Sequence, residues 1–177
     1  MQTNIVLTLT GADRIGLVEE VTRLLVVRGG NIETSRMTRL GGAFAILMRA
    51  SLPQDQLDGL DAAFESLKAK GYKFTVSQIE PVSSSELHAG WVPYQIEVIG
   101  ADHEGIIHQV SQALAQRGIN IDTMDTHTTP APMSGDLLFT MKALVYVPLT
   151  LADPDWRTAL EATGQQLNVD IDVRPKG

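Results

Sequence analysis

The sequence predicts an α+β chain made of one βαββαβ module used twice, and three observations carry that reading. First, Gly11-Ala12-Asp13-Arg14-Ile15-Gly16 returns as Gly100-Ala101-Asp102-His103-Glu104-Gly105. Second, Arg28-Gly29-Gly30-Asn31-Ile32-Glu33 returns as Arg117-Gly118-Ile119-Asn120-Ile121-Asp122 at the same spacing, with Val21/Val110 and Leu25/Leu114 matched between them. Third, apolar periodicity alternates between strand-like and helix-like stretches in the same order in both halves.

In the first half, Ile5, Leu7 and Leu9 alternate with Val6 and Thr8, as a strand requires. After the Gly11–Gly16 turn, Leu17, Val18, Val21, Leu24 and Leu25 recur at helical spacing, and Gly29 stands where a helix-terminating glycine belongs. Residues 32–40 and 43–52 read as a hairpin about Gly41-Gly42, a dipeptide that admits the positive φ of a tight turn. Pro53 is expected to open a second helix carrying Leu57, Leu60, Phe64 and Leu67, which Gly71 ends before a last strand over 72–79.

The second half repeats the plan from Tyr94: helix 106–116, strand 137–147, helix 156–167 and strand 169–173. Pairing Pro53 with Pro148 places extra residues in 128–136, read as a longer hairpin loop. The expected domains are 1–80 and 93–177, with a Pro/Ser/Gly-containing linker over 81–92. This order is the ferredoxin-like plan. Right-handed crossovers put both helices on one face of a four-stranded antiparallel sheet.

Composition narrows the function. A total of 21 acidic against 14 basic residues gives a net charge of −7, which disfavours direct nucleic-acid binding, since that needs a basic face. No cysteine is present, so thiol chemistry and Cys-ligated metals are excluded. His103 and His108 are five apart, not on one helix face, so no metal site is expected. Neither His88 nor His127 completes one. Thr34 and Ser35 have no partners suited to nucleophilic catalysis. Trp91 and Trp156 read as packing anchors, and only 5% of residues are aromatic, too few for an RNA-stacking sheet. No leader or spanning segment is read, so a soluble cytoplasmic protein is expected.

The chain resembles the ACT domain family in the Gly-x-Asp-Arg-x-Gly turn after the first strand and the Gly-x-Asn-Ile step after the first helix. The resemblance covers nearly the whole chain outside the linker and the segment near Pro130. The second copy departs from it at His103-Glu104, where the family carries Arg and a Pro or small apolar residue. That points to the second copy as the one with an altered or lost site. Tandem ACT modules with no enzyme attached look like the glycine cleavage system transcriptional repressor group.

The resemblance implies a non-catalytic regulator without cofactor, binding an amino-acid effector between paired modules, with homodimerisation expected. It would modulate transcription of glycine-metabolism genes through a protein partner. By position it implicates Gly11, Asp13, Ile15, Gly16 and Asn31, with Gly100, Asp102, Glu104, Gly105 and Asn120 in the second copy. Physical chemistry supplies reasons. A glycine-led helix N-terminus presents free amides to a carboxylate, and Asp13 or Asp102 would take an ammonium group.

Each residue also has a plainer reading. Asp13 would cap the first helix, Gly16 and Gly105 would let the helices pack closely, and Asn31 and Asn120 would be left-handed turn residues. The alternative function is a constitutive protein–protein interaction module, its sheet edges pairing with other chains. A ferredoxin-like enzyme is the third class.

Overall fold

The computed structural model describes residues 1–80, 89–131, 135–151 and 153–176. The chain divides into two compact units, Met1–Val82 and Ser83–Gly177. The first runs β1 (Gln2–Ala12), α1 (Leu17–Val26), β2 (Asn31–Leu40), β3 (Ala43–Pro53), α2 (Leu60–Ala69) and β4 (Lys73–Ile79). The second runs β5 (Trp91–Ala101), α3 (Ile106–Ala115), β6 (Asn120–Pro130), β7 (Leu137–Pro148), α4 (Asp153–Leu167) and β8 (Val169–Pro175). Their sheets have matching orders, β2-β3-β1-β4 and β6-β7-β5-β8, and every pairing is antiparallel. This is the expected tandem ferredoxin-like architecture.

Alternation along the central strand decides which face is covered. Ile5, Leu7 and Leu9 are buried with Ile46, Met48, Ala50 and Leu52 of β3, and Leu17, Val21 and Leu25 of α1 and Leu60, Phe64 and Leu67 of α2 join the same cluster. Both helices therefore lie on one face. The second unit builds its own core from Ile96, Val98, Val110, Leu114, Met141, Val145 and Trp156, among others. Trp156 packs edge-on against Tyr94 at 5.2 Å between ring centroids.

The first helix of each unit ends as the sequence predicts. Gly29 and Gly118 take φ of +72° and +68°, and the next amide reaches back to Leu25 or Leu114 at 3.0 and 3.1 Å. That is the Schellman arrangement. Arg28 and Arg117 complete it, donating to the carbonyls of Leu24 and Ala113 at 3.0 and 2.8 Å.

Three expectations need correction. Pro53 closes β3, opposite Gln2, and does not open a helix; a short 3-10 turn (Gln54–Gln56) follows, and α2 begins only at Leu60. Its ψ of 135° is extended backbone, which the ladder with β1 holds. Thr128, Thr129 and Pro130, expected in a loop, extend β6 opposite Phe139, Leu138 and Leu137. β6 is an edge strand, so Pro130 forfeits no ladder bond on its open side. The connection is thus 131–136, of which 132–134 lie outside the described residues. Of the expected linker, residues 81–88 (His88 among them) also lie outside, while Trp91 and Val92 already run in β5. No helix among the described residues is long and apolar enough to cross a membrane.

Phe64 is fully buried, stacked at 4.8 Å against Phe74 at a tilt. Phe64→Ala should cost about 3–5 kcal/mol through lost burial and the cavity left behind. Chemical denaturation should show a lower midpoint for the transition that reports the first unit.

Candidate functional site

The β1–α1 and β5–α3 turns are built alike. Strand β1 ends at Ala12, and the Asp13 amide donates to the Gly42 carbonyl of the β2–β3 hairpin at 3.2 Å. In the second unit the Asp102 amide donates to Leu137 at 2.8 Å. Each turn then enters its helix through a left-handed glycine, Gly16 at φ +83° and Gly105 at φ +93°. No side chain caps either helix, so the plainer reading of Asp13 as a helix cap fails. Its carboxylate instead faces Arg39 at 3.6 Å.

Glycine serves different ends along one turn. A Cβ on Gly16 would meet nothing within 4 Å, and one on Gly105 only Gln109 Nε2 at 3.7 Å. Close helix packing is therefore not why these two are glycine; the positive φ is, and it leaves the helix-leading backbone uncovered. Gly11 and Gly100 are the reverse. A Cβ there would come within 2.2 Å of Tyr72 Cδ1 or 2.5 Å of Val169 Cγ1, so both make room for the residue that leads into or opens the last strand.

The turns differ in what holds them. In the first unit the Tyr72 hydroxyl donates to the Ala12 carbonyl at 2.8 Å and accepts from Arg14 Nε at 3.1 Å. Arg14 also pairs with Glu20, and Lys70 reaches the same carboxylate at 2.8 Å. The hydrogen bond from Lys70, then that from Arg14, holds the Glu20 carboxyl below its ordinary range. In the second unit His103 and Gln109 stand at the places of Arg14 and Glu20, and Val169 at that of Tyr72. There His103 ties the turn to the end of α4. Its Nε2 lies 2.7 Å from the Leu167 carbonyl and its Nδ1 3.1 Å from that of Glu104.

The structure gathers some of the expected site residues and separates others. Asp102 and Gly105 line one depression of about 410 Å³ with His103, Ile106, Ile107, His108 and Phe139. Gly11 borders another, of about 330 Å³, with Thr10, Gly42, Ala43, Gly71 and Lys73. Ile15 and Glu104 are exposed at the turn tips.

Asn31 and Asn120 lie elsewhere. Asn31 pairs with Ser51 and thence with Asn4, whereas Gly11 pairs with Phe44. Seven strand steps, about 23 Å at 3.3 Å per residue, separate the two ends of β1. Within one unit the turn and the asparagine thus sit at opposite ends of the sheet. Both asparagines face away from the helices, and neither is left-handed, since Asn168 is the one non-glycine with positive φ among the described residues. A bulge follows each, between Ile32 and Thr34 and between Ile121 and Thr123.

Sequence reasoning passed over three features here: the Tyr72–Arg14–Glu20–Lys70 network, the His103 tether and the Glu33–Arg49 ion pair at 2.9 Å beside the first bulge. Among the described residues no three His, Asp or Glu gather to hold a metal ion.

ACT domain models match residues 3–76 and 94–143. A UPF0237 protein of Streptococcus mutans serotype c is 37% identical over 79 residues, covering 45% of this chain and 83% of that protein. A crystal structure of an unknown protein from Galdieria sulphuraria aligns over 100% of both chains at 32% identity and a TM-score of 0.87. A structure named as a candidate glycine cleavage system transcriptional repressor aligns over 98% of this chain and 97% of its own at 21% identity, with a TM-score of 0.71. At that identity the likeness is one of fold.

The two glycine types separate under substitution. Gly16→Ala meets only backbone strain, about 1 kcal/mol once the less flexible unfolded chain is counted. Gly11→Ala drives a methyl into a buried ring and should cost more, about 1–3 kcal/mol. Equilibrium unfolding of the two variants should preserve that order.

Proposed function

The chain belongs to the ACT domain family, with two modules in tandem, and from that premise we propose that it is a non-catalytic regulatory protein that senses an amino acid. The observation that carries this reading is the exposed, left-handed glycine that leads each first helix, Gly16 with open space about it and Gly105 with only Gln109 near. The first helical amides and the helix dipole favour a carboxylate. In the second module the adjoining depression sets Asp102, suited to an ammonium group, beside the apolar Ile106, Ile107 and Phe139. At about 410 Å³ it falls at the small end of ligand sites. The second copy thus keeps a depression at its turn, with His103 in its lining, despite the departure at His103-Glu104.

The proposed ligand contacts are Gly11, Asp13, Ile15, Gly16 and Asn31, with Gly100, Asp102, Glu104, Gly105 and Asn120. Because turn and asparagine lie at opposite ends of a module, one ligand can meet both only where two modules supply them. A homodimer is one way to provide the pair. The fold-level likeness to a candidate glycine cleavage repressor favours a role in transcription of amino-acid metabolism genes. The net charge of −7 favours action through a protein partner over direct DNA contact. Tight sequence-specific binding to DNA by the chain alone, in a gel shift at physiological salt, would overturn the indirect route.

Sensing is tested by thermal unfolding against a panel of the common amino acids. A ligand bound only by the folded state adds about 2.7 kcal/mol at a hundredfold excess over Kd. One amino acid should raise the Tm in a concentration-dependent way, and Asp13→Ala and Asn31→Ala should weaken that rise. No shift with any of them would favour the constitutive interaction module.

A further inference from the structure

We infer that His103 is a protonation-dependent latch, an imidazolium that pins the β5–α3 turn of the second module to the end of α4 and releases it when the proton leaves. The argument is geometric. Both ring nitrogens face backbone carbonyls, Nε2 that of Leu167 at 2.7 Å and Nδ1 that of Glu104 at 3.1 Å. A carbonyl oxygen only accepts. A neutral imidazole carries one N–H and one lone pair, so it satisfies one of these oxygens and sets its lone pair against the other. Only the doubly protonated ring donates to both.

Position favours the same species. Leu167 is the last residue of α4, and a helix C-terminus attracts a cation. The titratable groups on the surrounding elements are Asp102 at the end of β5, Glu104 in the turn, His108 in the first turn of α3, Asp136 before β7 and Asp170 in β8. All but His108 are acids. The bond to Leu167, then that to Glu104, raises the His103 pKa above its ordinary 6.5, with Asp102 adding to them and partial desolvation opposing.

The first module shows what the latch replaces. There the register position is filled by Arg14, a cation at every physiological pH, braced by Glu20 and Tyr72. The second module has neither brace, since Gln109 and Val169 stand in their places. The same turn is therefore held by a permanent charge in one module and by a titratable one in the other. The sign follows from the raised value. The latch contributes fully below about pH 6.5, where His103 is protonated folded or unfolded, and its contribution is lost as pH rises through the folded-state value. This inference stands apart from the ligand reading, because it concerns the turn with no effector present.

Long-range ¹H–¹⁵N spectra of the full chain, recorded from about pH 5 to 9, test it. His103 should keep both ring nitrogens protonated above its ordinary value of 6.5. The backbone amides of Glu104, Gly105 and Asn168 should shift with the His103 midpoint, while those of Ile15 and Gly16 stay flat through it. His103→Arg should abolish that midpoint in the turn amides. A His103 that titrates at or below its ordinary value of 6.5, or turn amides that ignore its titration, would overturn the latch, and neither result depends on the variant folding.

Discussion

The antiparallel ladder on both sides of the first strand is the constraint from which the rest of each module follows. β1 is hydrogen-bonded to β3 along its whole length and to β4 along most of it, and β5 is held likewise by β7 and β8. A strand so enclosed cannot slip in register without turning Ile5, Leu7 and Leu9 out of the core. Its end is therefore fixed, and with it the point at which the chain must turn into the helix. The crowding at Gly11 and Gly100 is a direct result. The residue that leads into or opens the last strand is pressed against the end of the first, and only a glycine leaves room for Tyr72 or Val169.

Once the strand end is fixed, the turn has little freedom. It is tied to the neighbouring hairpin by the Asp13 or Asp102 amide and enters its helix through a left-handed glycine. Both modules keep these backbone features, while the side chains that brace the turn have changed entirely. A network of Tyr72, Arg14, Glu20 and Lys70 in one module answers to His103 in the other. Backbone geometry is thus the shared inheritance of the duplication, and the tether is where the copies have become different instruments.

That division explains what was legible in the sequence. Features written in local chemistry could be read: strand alternation at Ile5–Leu9, the Schellman glycines Gly29 and Gly118, the two-residue hairpin at Gly41-Gly42. Features that depend on contacts remote in sequence could not. Pro53 resembles a helix opener by its own preference, yet the ladder with Gln2 holds it extended. Asp13 has the chemistry of a helix cap, yet the left-handed Gly16 intervenes. Gly11 and Gly16 look alike in a motif and do opposite work, because the ring that crowds Gly11 arrives from Tyr72, far along the chain. For the same reason His103 reads as a departure from a family pattern until Leu167 is seen across from it.

The position of the asparagines carries the synthesis one step further. Asn31 and Asn120 open the strands that follow the first helices, and each is succeeded by a bulge carrying an acidic residue, Glu33 or Asp122. A bulge re-aims the strand locally, here on the edge of the sheet and on the face the helices leave uncovered. The glycine turn lies at the other end of the same sheet. A module therefore offers two separated polar features that its own fold cannot bring together, and it offers them on a backbone held rigid by the central ladder. The duplicated chain carries these features twice on one backbone plan, and copies whose turns are braced differently need not respond alike.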